Sequence, residues 1–275
     1  MAFELPEAVT LARQMQAALP GKRIAHIELS PACASLIRQG FINLNEMPPD
    51  GQMVDSCRAR GKWIFVRLED NLHLCFALET KGKILYHPSP LSLPPRWNIK
   101  VNFSDGTSLT VHIIGWGFAK ALPEKQIPLE AYPGVLGVCP ISDDFTPAAL
   151  SHLLHENPRK TIKSILTDQR LIAGIGIGYA QEICYQSRLH PARKCITLDP
   201  QQRAHLYWTA RSTLEEAVRL GGSEHETDLY DQPGSFPRQV CEATRGKPCP
   251  QCSTPIERTS VQGASMYICP QCQAI

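Results

Sequence analysis

Apolar residues fall at Ala8, Leu11, Ala12, Met15, Ala18 and Leu19, a spacing that places them on one face of a helix. Pro6 suits its first turn, where a missing N–H leaves no bond unmade, and Pro20-Gly21 stops it. The period then changes. Residues 24–29, 63–68, 72–78 and 83–87 are short strand-like runs and predict a sheet. The clearest hairpin has Ile99, Val101 and Phe103 alternating toward Asp105-Gly106, then Leu109, Val111 and Ile113 alternating away. After Tyr132-Pro133-Gly134 the pattern turns helical. From Phe145 onward, Ile162, Ile165 and Leu166 share a face, a glycine-punctuated bend spans residues 171–178, and a second helix runs through Ser187. A third spans about Pro200 to Leu220. Residues 221–248 hold glycines, prolines and charges without a period and read as a loop-rich, mobile stretch. No internal repeat is present.

The tail carries the strongest single motif. Cys249-Pro250-Gln251-Cys252 is followed after sixteen residues by Cys269-Pro270-Gln271-Cys272. Two thiolate pairs, each on a tight turn, close a tetrahedral four-sulfur site for one structural zinc ion. Ile256, Val261, Met266, Tyr267 and Ile268, with Gly263 near the middle, predict two short strands joined by a turn. So short a segment has little core of its own, so metal binding supplies most of its folding free energy.

Composition narrows the class. With 275 residues, 43% hydrophobic and 20% charged, the chain can bury one large core or two moderate ones. No run of eighteen apolar residues and no secretory pattern at the N-terminus appear, so the expectation is a cytosolic, monomeric protein without a membrane partner. The other seven cysteines, Cys33, Cys57, Cys75, Cys139, Cys184, Cys195 and Cys241, lie mostly in apolar contexts, as reduced core residues do. Net charge is only +2, but residues 157–194 hold seven cations (Arg159, Lys160, Lys163, Arg170, Arg188, Arg193, Lys194) against Asp168 and Glu182. That excess of five suits a polyanion, and equally a solvated helix face.

The bend at 171–178 places glycines at alternate positions before a helix, which permits a tight turn and leaves N–H groups free for an anion. A dinucleotide fold would need a strand before the glycines. The preceding segment is helical and carries Lys163, so that reading is set aside.

At this point the sequence resembles the formamidopyrimidine-DNA glycosylase and endonuclease VIII family of base-excision repair enzymes. The resemblance rests on Glu4-Leu5-Pro6-Glu7, Ile162-Lys163 with Asp168-Gln169, Gly174-Ile175-Gly176 continuing to Tyr179-Ala180-Gln181-Glu182, Leu189-His190-Pro191, Gly221-Gly222, Gly246-Lys247-Pro248-Cys249 and the zinc pairs. It implies an α+β fold in three parts: an N-terminal helix plus β-sandwich (1–130), a helical domain with a helix-two-turn-helix element (131–240) and a C-terminal four-cysteine zinc finger (241–275). It also implies double-stranded DNA, held in the cleft between domains, as the partner.

The implied chemistry is matched unevenly. Typical members attack the sugar C1′ with an N-terminal proline. Here Phe3 occupies that position with Ala2 one residue further out, so loss of Met1 would leave the Ala2 amine as the imine-forming group, displaced by up to about 3.5 Å. Glu4 matches the carboxylate that polarises the deoxyribose or activates water; its plain reading is a capping carboxylate beside the first helix, and both readings can hold together. Lys62 matches a lysine that contacts phosphate or assists at the sugar, and a solvated strand-edge lysine would look the same. Lys163, Gly174 and Gly176 would hold DNA phosphate. The family's phosphate-binding asparagine and hairpin arginine correspond to Ile177 and Ala264, which removes two contacts. The turns that would fill the space left by an extruded base are Glu79-Thr80-Lys81-Gly82 and Ile114-Gly115-Trp116-Gly117; Trp116 could stack there or belong to the core. The acidic loop 222–237 is odd for a surface facing DNA. The resemblance therefore implies a divergent DNA glycosylase of base-excision repair, with or without AP-lyase activity, acting on a modified base or abasic site; a silent lesion-binding homologue and a protein-interaction module on the same scaffold are the alternatives.

Overall fold

The computed structural model describes residues 3–79, 82–130 and 133–275, in two compact units: residues 1–135 with 221–235, and residues 136–220 with 236–275.

The first unit opens with α1 (Leu5–Ala18), which buries Ala8, Leu11, Ala12 and Met15, the predicted stripe. A short helix, α2 (Ala34–Arg38), and two antiparallel four-stranded sheets follow. One has the order β1 (Ile24–Leu29), β6 (Ile99–Phe103), β7 (Ser108–His112), β5 (Lys83–His87). The other runs β2 (Val54–Arg60), β3 (Trp63–Leu68), β4 (Leu72–Leu78), β8 (Gly117–Pro123). Residues from both sheets and from α1 share one core, which makes the predicted sandwich. The β6–β7 register pairs Ile99 with Val111 and Val101 with Leu109 across the Asp105-Gly106 turn, where Gly106 takes φ +86°. Two strands were not legible in the sequence. The β2 run, Val-Asp-Ser-Cys-Arg-Ala-Arg, buries only Val54 and Cys57, and its exposed positions carry charge. The β8 strand begins on a glycine and ends on a proline.

The segment 221–235 overturns the expectation of a mobile loop over that span. Leu229 is fully buried within the sandwich core. Its N–H donates to Gln14 Oε1 at 2.9 Å, and its carbonyl accepts from Tyr86 N–H at 2.9 Å. The loop acids are largely engaged. Asp228 accepts from Gln14 Nε2 at 2.7 Å and from the N–H groups of Tyr230 and Gln232, and Asp231 pairs with Lys83 at 2.5 Å. Much of the acidity that looked misplaced therefore holds the loop down. Leu229→Ala should lower stability by about 2–5 kcal/mol through the cavity it leaves, read as a lower denaturation midpoint with unchanged slope. A midpoint unmoved by the change would mean that the loop is only laid on the sandwich.

The second unit contains α3 (Pro147–Glu156), α4 (Ile162–Thr167), α5 (Ile177–Gln186) and α6 (Pro200–Arg219). Three of these start where side chains satisfy orphan N–H groups: Thr146 caps α3, Thr161 caps α4, and Asp199 with Gln202 forms a capping box on α6. The hairpin β9 (Glu257–Val261) and β10 (Ala264–Ile268) packs in this same unit. Tyr185 of α5, Val240, Ile256 and Tyr267 form a small core with Cys249 and Cys269. Gln181 ties it further, donating to Val240 O at 2.6 Å and accepting from Tyr267 N–H at 3.2 Å.

Six of the seven remaining cysteines are buried and Cys139 is half-buried; all are free thiols. Burial pushes the Cys57, Cys75 and Cys184 thiols up to about 12, so they stay protonated. Among the described residues no helix is long and apolar enough to cross a membrane.

Candidate functional site

At the N-terminus the chain direction is fixed by Phe3, which is 2% exposed and sits in the sandwich core. Glu4 follows, fully buried at the start of α1, its carbonyl accepting from Ala8 N–H at 3.0 Å. Glu7 acts as a clasp. One carboxylate oxygen accepts from Glu4 N–H at 3.0 Å and the other from Ser223 N–H at 2.9 Å. Gly222 takes φ +95°, and a Cβ there would meet the Glu7 side chain. The motifs Glu4-Leu5-Pro6-Glu7 and Gly221-Gly222, more than 200 positions apart, are thus one structure. Ala2, Thr80 and Lys81 lie outside the described residues.

Lys62 follows Gly61 (φ +58°) in the turn that leads into β3. A solvated strand-edge lysine would be exposed, yet Lys62 is 7% exposed, with Nζ 3.9 Å from Glu79 Oε2. Trp116 is 61% exposed, which removes the core alternative. Its ring lies 5.2 Å from Phe41, which in turn meets Phe118 at 5.0 Å, and Phe118 meets Trp63 at 5.4 Å. An exposed indole backed by a ladder of rings is a rigid flat surface on which a base can stack.

In the second unit Gln169 organises the glycine turn. Its Oε1 accepts from Gly174 N–H at 2.7 Å, and its Nε2 donates to Ile175 O at 2.7 Å. The Gly174 N–H is therefore occupied by the protein, contrary to the expectation of a free donor; what Gly174 supplies is a φ of +108°. Gly176 is the N-terminal cap of α5, its carbonyl accepting from Ala180 N–H at 2.9 Å. Ile177, in the place of the expected asparagine, is half-buried. Gly178 has no room for a Cβ, because the Arg238 guanidinium lies against it. Arg238 also stacks over Tyr179 at 5.2 Å. Nearby Glu182 is fully buried and accepts from Gln239 and Val240 N–H groups at 3.1 and 3.0 Å. Burial pushes its carboxyl up to about 7 against the pull of those donors and of Arg238. Arg238 carries no signal in the sequence, since nothing in a loop arginine announces a buried partner.

Of the seven cations between 157 and 194, Lys160 is paired with Asp168 at 3.0 Å. Arg193 is tied to Thr197 O and Gln202. Among the described residues Arg159, Lys163, Arg170, Arg188 and Lys194 make no ion pair, which leaves their charge available to an anionic partner.

Cys249, Cys252, Cys269 and Cys272 bring their sulfurs within 4.8 Å of one another. Cys249 and Cys272 are 3.9 Å apart and Cys252 and Cys269 3.4 Å. A tetrahedron of Zn–S bonds of about 2.3 Å needs sulfurs about 3.8 Å apart, so the four residues fit one structural zinc. The Tyr185 hydroxyl lies 3.2 Å from Cys249 Sγ, an outer contact that orients the ligand.

Three family models match in order: the formamidopyrimidine-DNA glycosylase N-terminal domain over residues 3–112, its H2TH domain over 136–228, and the zinc finger found in FPG and IleRS over 246–275. The chain is 32% identical to the formamidopyrimidine-DNA glycosylase of Cytobacillus firmus, with 98% of this chain and 99% of the relative covered. It is 31% identical to that of Chloroflexus aurantiacus, covering 98% and 97%. The crystal structure of the MutM (Fpg) protein from Thermus thermophilus superposes with a TM-score of 0.86 at 28% identity, covering 98% of each chain. Sandwich, helical unit and four-cysteine hairpin together define a zinc-finger DNA glycosylase of base-excision repair. The chain belongs to the formamidopyrimidine-DNA glycosylase family.

Proposed function

We propose that this protein removes a modified base from double-stranded DNA, with Glu4 as the acid–base group. The observation that carries the reading is the placement of Glu4: Phe3 is locked in the core on one side and Glu7 grips the Glu4 N–H on the other. These contacts fix the backbone from which the Glu4 carboxylate projects, and positioning is most of what such a group supplies. As the N-glycosidic bond breaks, its electron pair leaves with the base, which takes up a proton from solvent, while Glu4 takes the proton of a water whose oxygen bonds to C1′. The Ala2 amine, freed by removal of Met1, is the alternative nucleophile: its nitrogen bonds to C1′ as the base leaves with the bonding pair, and opening of the C1′–O4′ bond, with an amine proton passing to O4′, leaves an imine on the opened sugar. Lys163 holds a phosphate of the bound strand, Lys62 exchanges its loose 3.9 Å contact with Glu79 for another phosphate, and Gly174 and Gly176 shape the turn that receives the backbone. Trp116 stacks in the vacancy left by the extruded base, offsetting a few kcal/mol of unstacking.

Duplexes carrying an oxidised base or an abasic site, incubated with and without borohydride, test this. Base release is expected. A borohydride-trapped adduct that disappears when the N-terminal amine is blocked assigns the nucleophile to Ala2, and release without an adduct assigns it to water. Binding with neither outcome makes the protein a silent lesion binder and overturns the proposal.

A further inference from the structure

The zinc hairpin lacks the arginine expected at its turn, and Ala264 there is half-buried. The cation has another address. In the β9–β10 ladder Ser260 faces Ser265 and Arg258 faces Tyr267. Paired residues, and residues two apart on one strand, project from the same side of a ladder. Arg258, Ser260 and Ser265 therefore share one exposed face, and Arg258 Nε donates to Ser265 Oγ at 2.6 Å. That bond holds the guanidinium by its inner nitrogen and leaves the outer fork unused. Among the described residues no carboxylate oxygen lies within 4.0 Å of it.

Beside the fork is a concavity of about 310 Å³ lined by Arg258, Thr259, Ser260, Gly263 and Ser265. Its walls offer the Ser260 and Ser265 hydroxyls, a cation and glycine backbone, and no acid. The tip of the hairpin is anchored as well. Gln262, at φ +50°, accepts through Oε1 from the hydroxyls of Thr161 and Ser164, the residues that flank Lys163 in the chain. The hairpin tip is thus tethered to the segment that carries Lys163.

We infer that Arg258, with Ser260, Ser265 and the Gly263 backbone, forms a phosphate subsite on the zinc hairpin that grips a phosphodiester of the bound DNA. An anchored planar fork suits two oxygens of one phosphate, which a lysine cannot match. The identity of the phosphate as DNA rests on the function proposed above; the anion chemistry does not.

Arg258→Gln and Arg258→Lys, each verified to retain one zinc per chain by native mass spectrometry, are compared with the parent protein in binding an abasic-site duplex at several salt concentrations. Arg258→Gln should weaken binding about tenfold or more and make the slope of log K against log salt shallower by about 0.9, one phosphate contact. Arg258→Lys should keep the slope and still lose affinity. An Arg258→Gln protein within twofold of the parent, with the same slope, overturns the inference. If the parent protein has no salt-dependent DNA affinity, the DNA function fails instead. Titration with inorganic phosphate, followed at the Arg258 Nε–H NMR resonance, then decides the subsite: a saturating shift upholds an anion site for free phosphate, and no shift removes it.

Discussion

Stripping the zinc, by chelation or by Cys249→Ser, is expected to unfold the C-terminal hairpin while the sandwich persists. The hairpin buries few apolar side chains of its own, and those it has, Ile256 and Tyr267, pack with Tyr185 and Val240 around the cysteines. Four thiolates on zinc contribute on the order of 10–16 kcal/mol in small zinc modules, far more than this cluster can supply. The loss would travel. Cys249 contacts the Tyr185 hydroxyl, and Gln181 bridges Val240 and Tyr267, so α5 loses packing along the side that meets the hairpin. Limited proteolysis should then cut within 246–275 and leave residues of the first unit protected, and DNA affinity should fall by at least about tenfold as the hairpin's contacts vanish. A metal-free protein whose hairpin resists protease as well as the zinc form would refute this account.

Glu4→Gln is expected to lower the rate of base release by about 10²–10⁴-fold, the usual contribution of a positioned acid–base group. The change keeps the shape and keeps the backbone carbonyl that accepts from Ala8 N–H, so the melting temperature should move little. Affinity for an abasic-site duplex should stay within a fewfold, because the expected phosphate contacts lie elsewhere. That separation of rate from binding distinguishes chemistry from capping: a purely capping carboxylate would affect stability and leave the rate within about tenfold. Glu7→Gln provides the contrast. Glu7 accepts from two N–H groups, on Glu4 and on Ser223, so weakening that clasp should act on stability and on the order of the 221–235 loop.

The zinc site was legible because metal ligation writes a fixed spacing into the chain. Helices and most strands were legible for a similar reason, since a buried face recurs with the local period. α1, β1, β3, β4, β5 and the β6–β7 hairpin stand where the apolar pattern put them. β2 and β8 did not announce themselves, because an exposed edge strand and one bounded by glycine and proline carry weak periodicity. The loop 221–235 hides its order for a related reason. One leucine inserted in a distant core has no local period, and acids engaged by Gln14 and Lys83 look the same in sequence as acids facing water.

The chain by itself thus determined what local rules encode: the four-cysteine ligand set, the order of sheet before helices, and the ordered motifs that mark the family. Tertiary structure decided which groups are already spent and which remain to be used. It gave the Gly174 N–H to Gln169, buried Lys62 beside Glu79, left Trp116 exposed on a ladder of rings, joined Glu7 to Ser223, and set Arg258 against Ser265. Each of these is a contact between residues whose partner the local pattern does not specify, and only packing brings the two ends together.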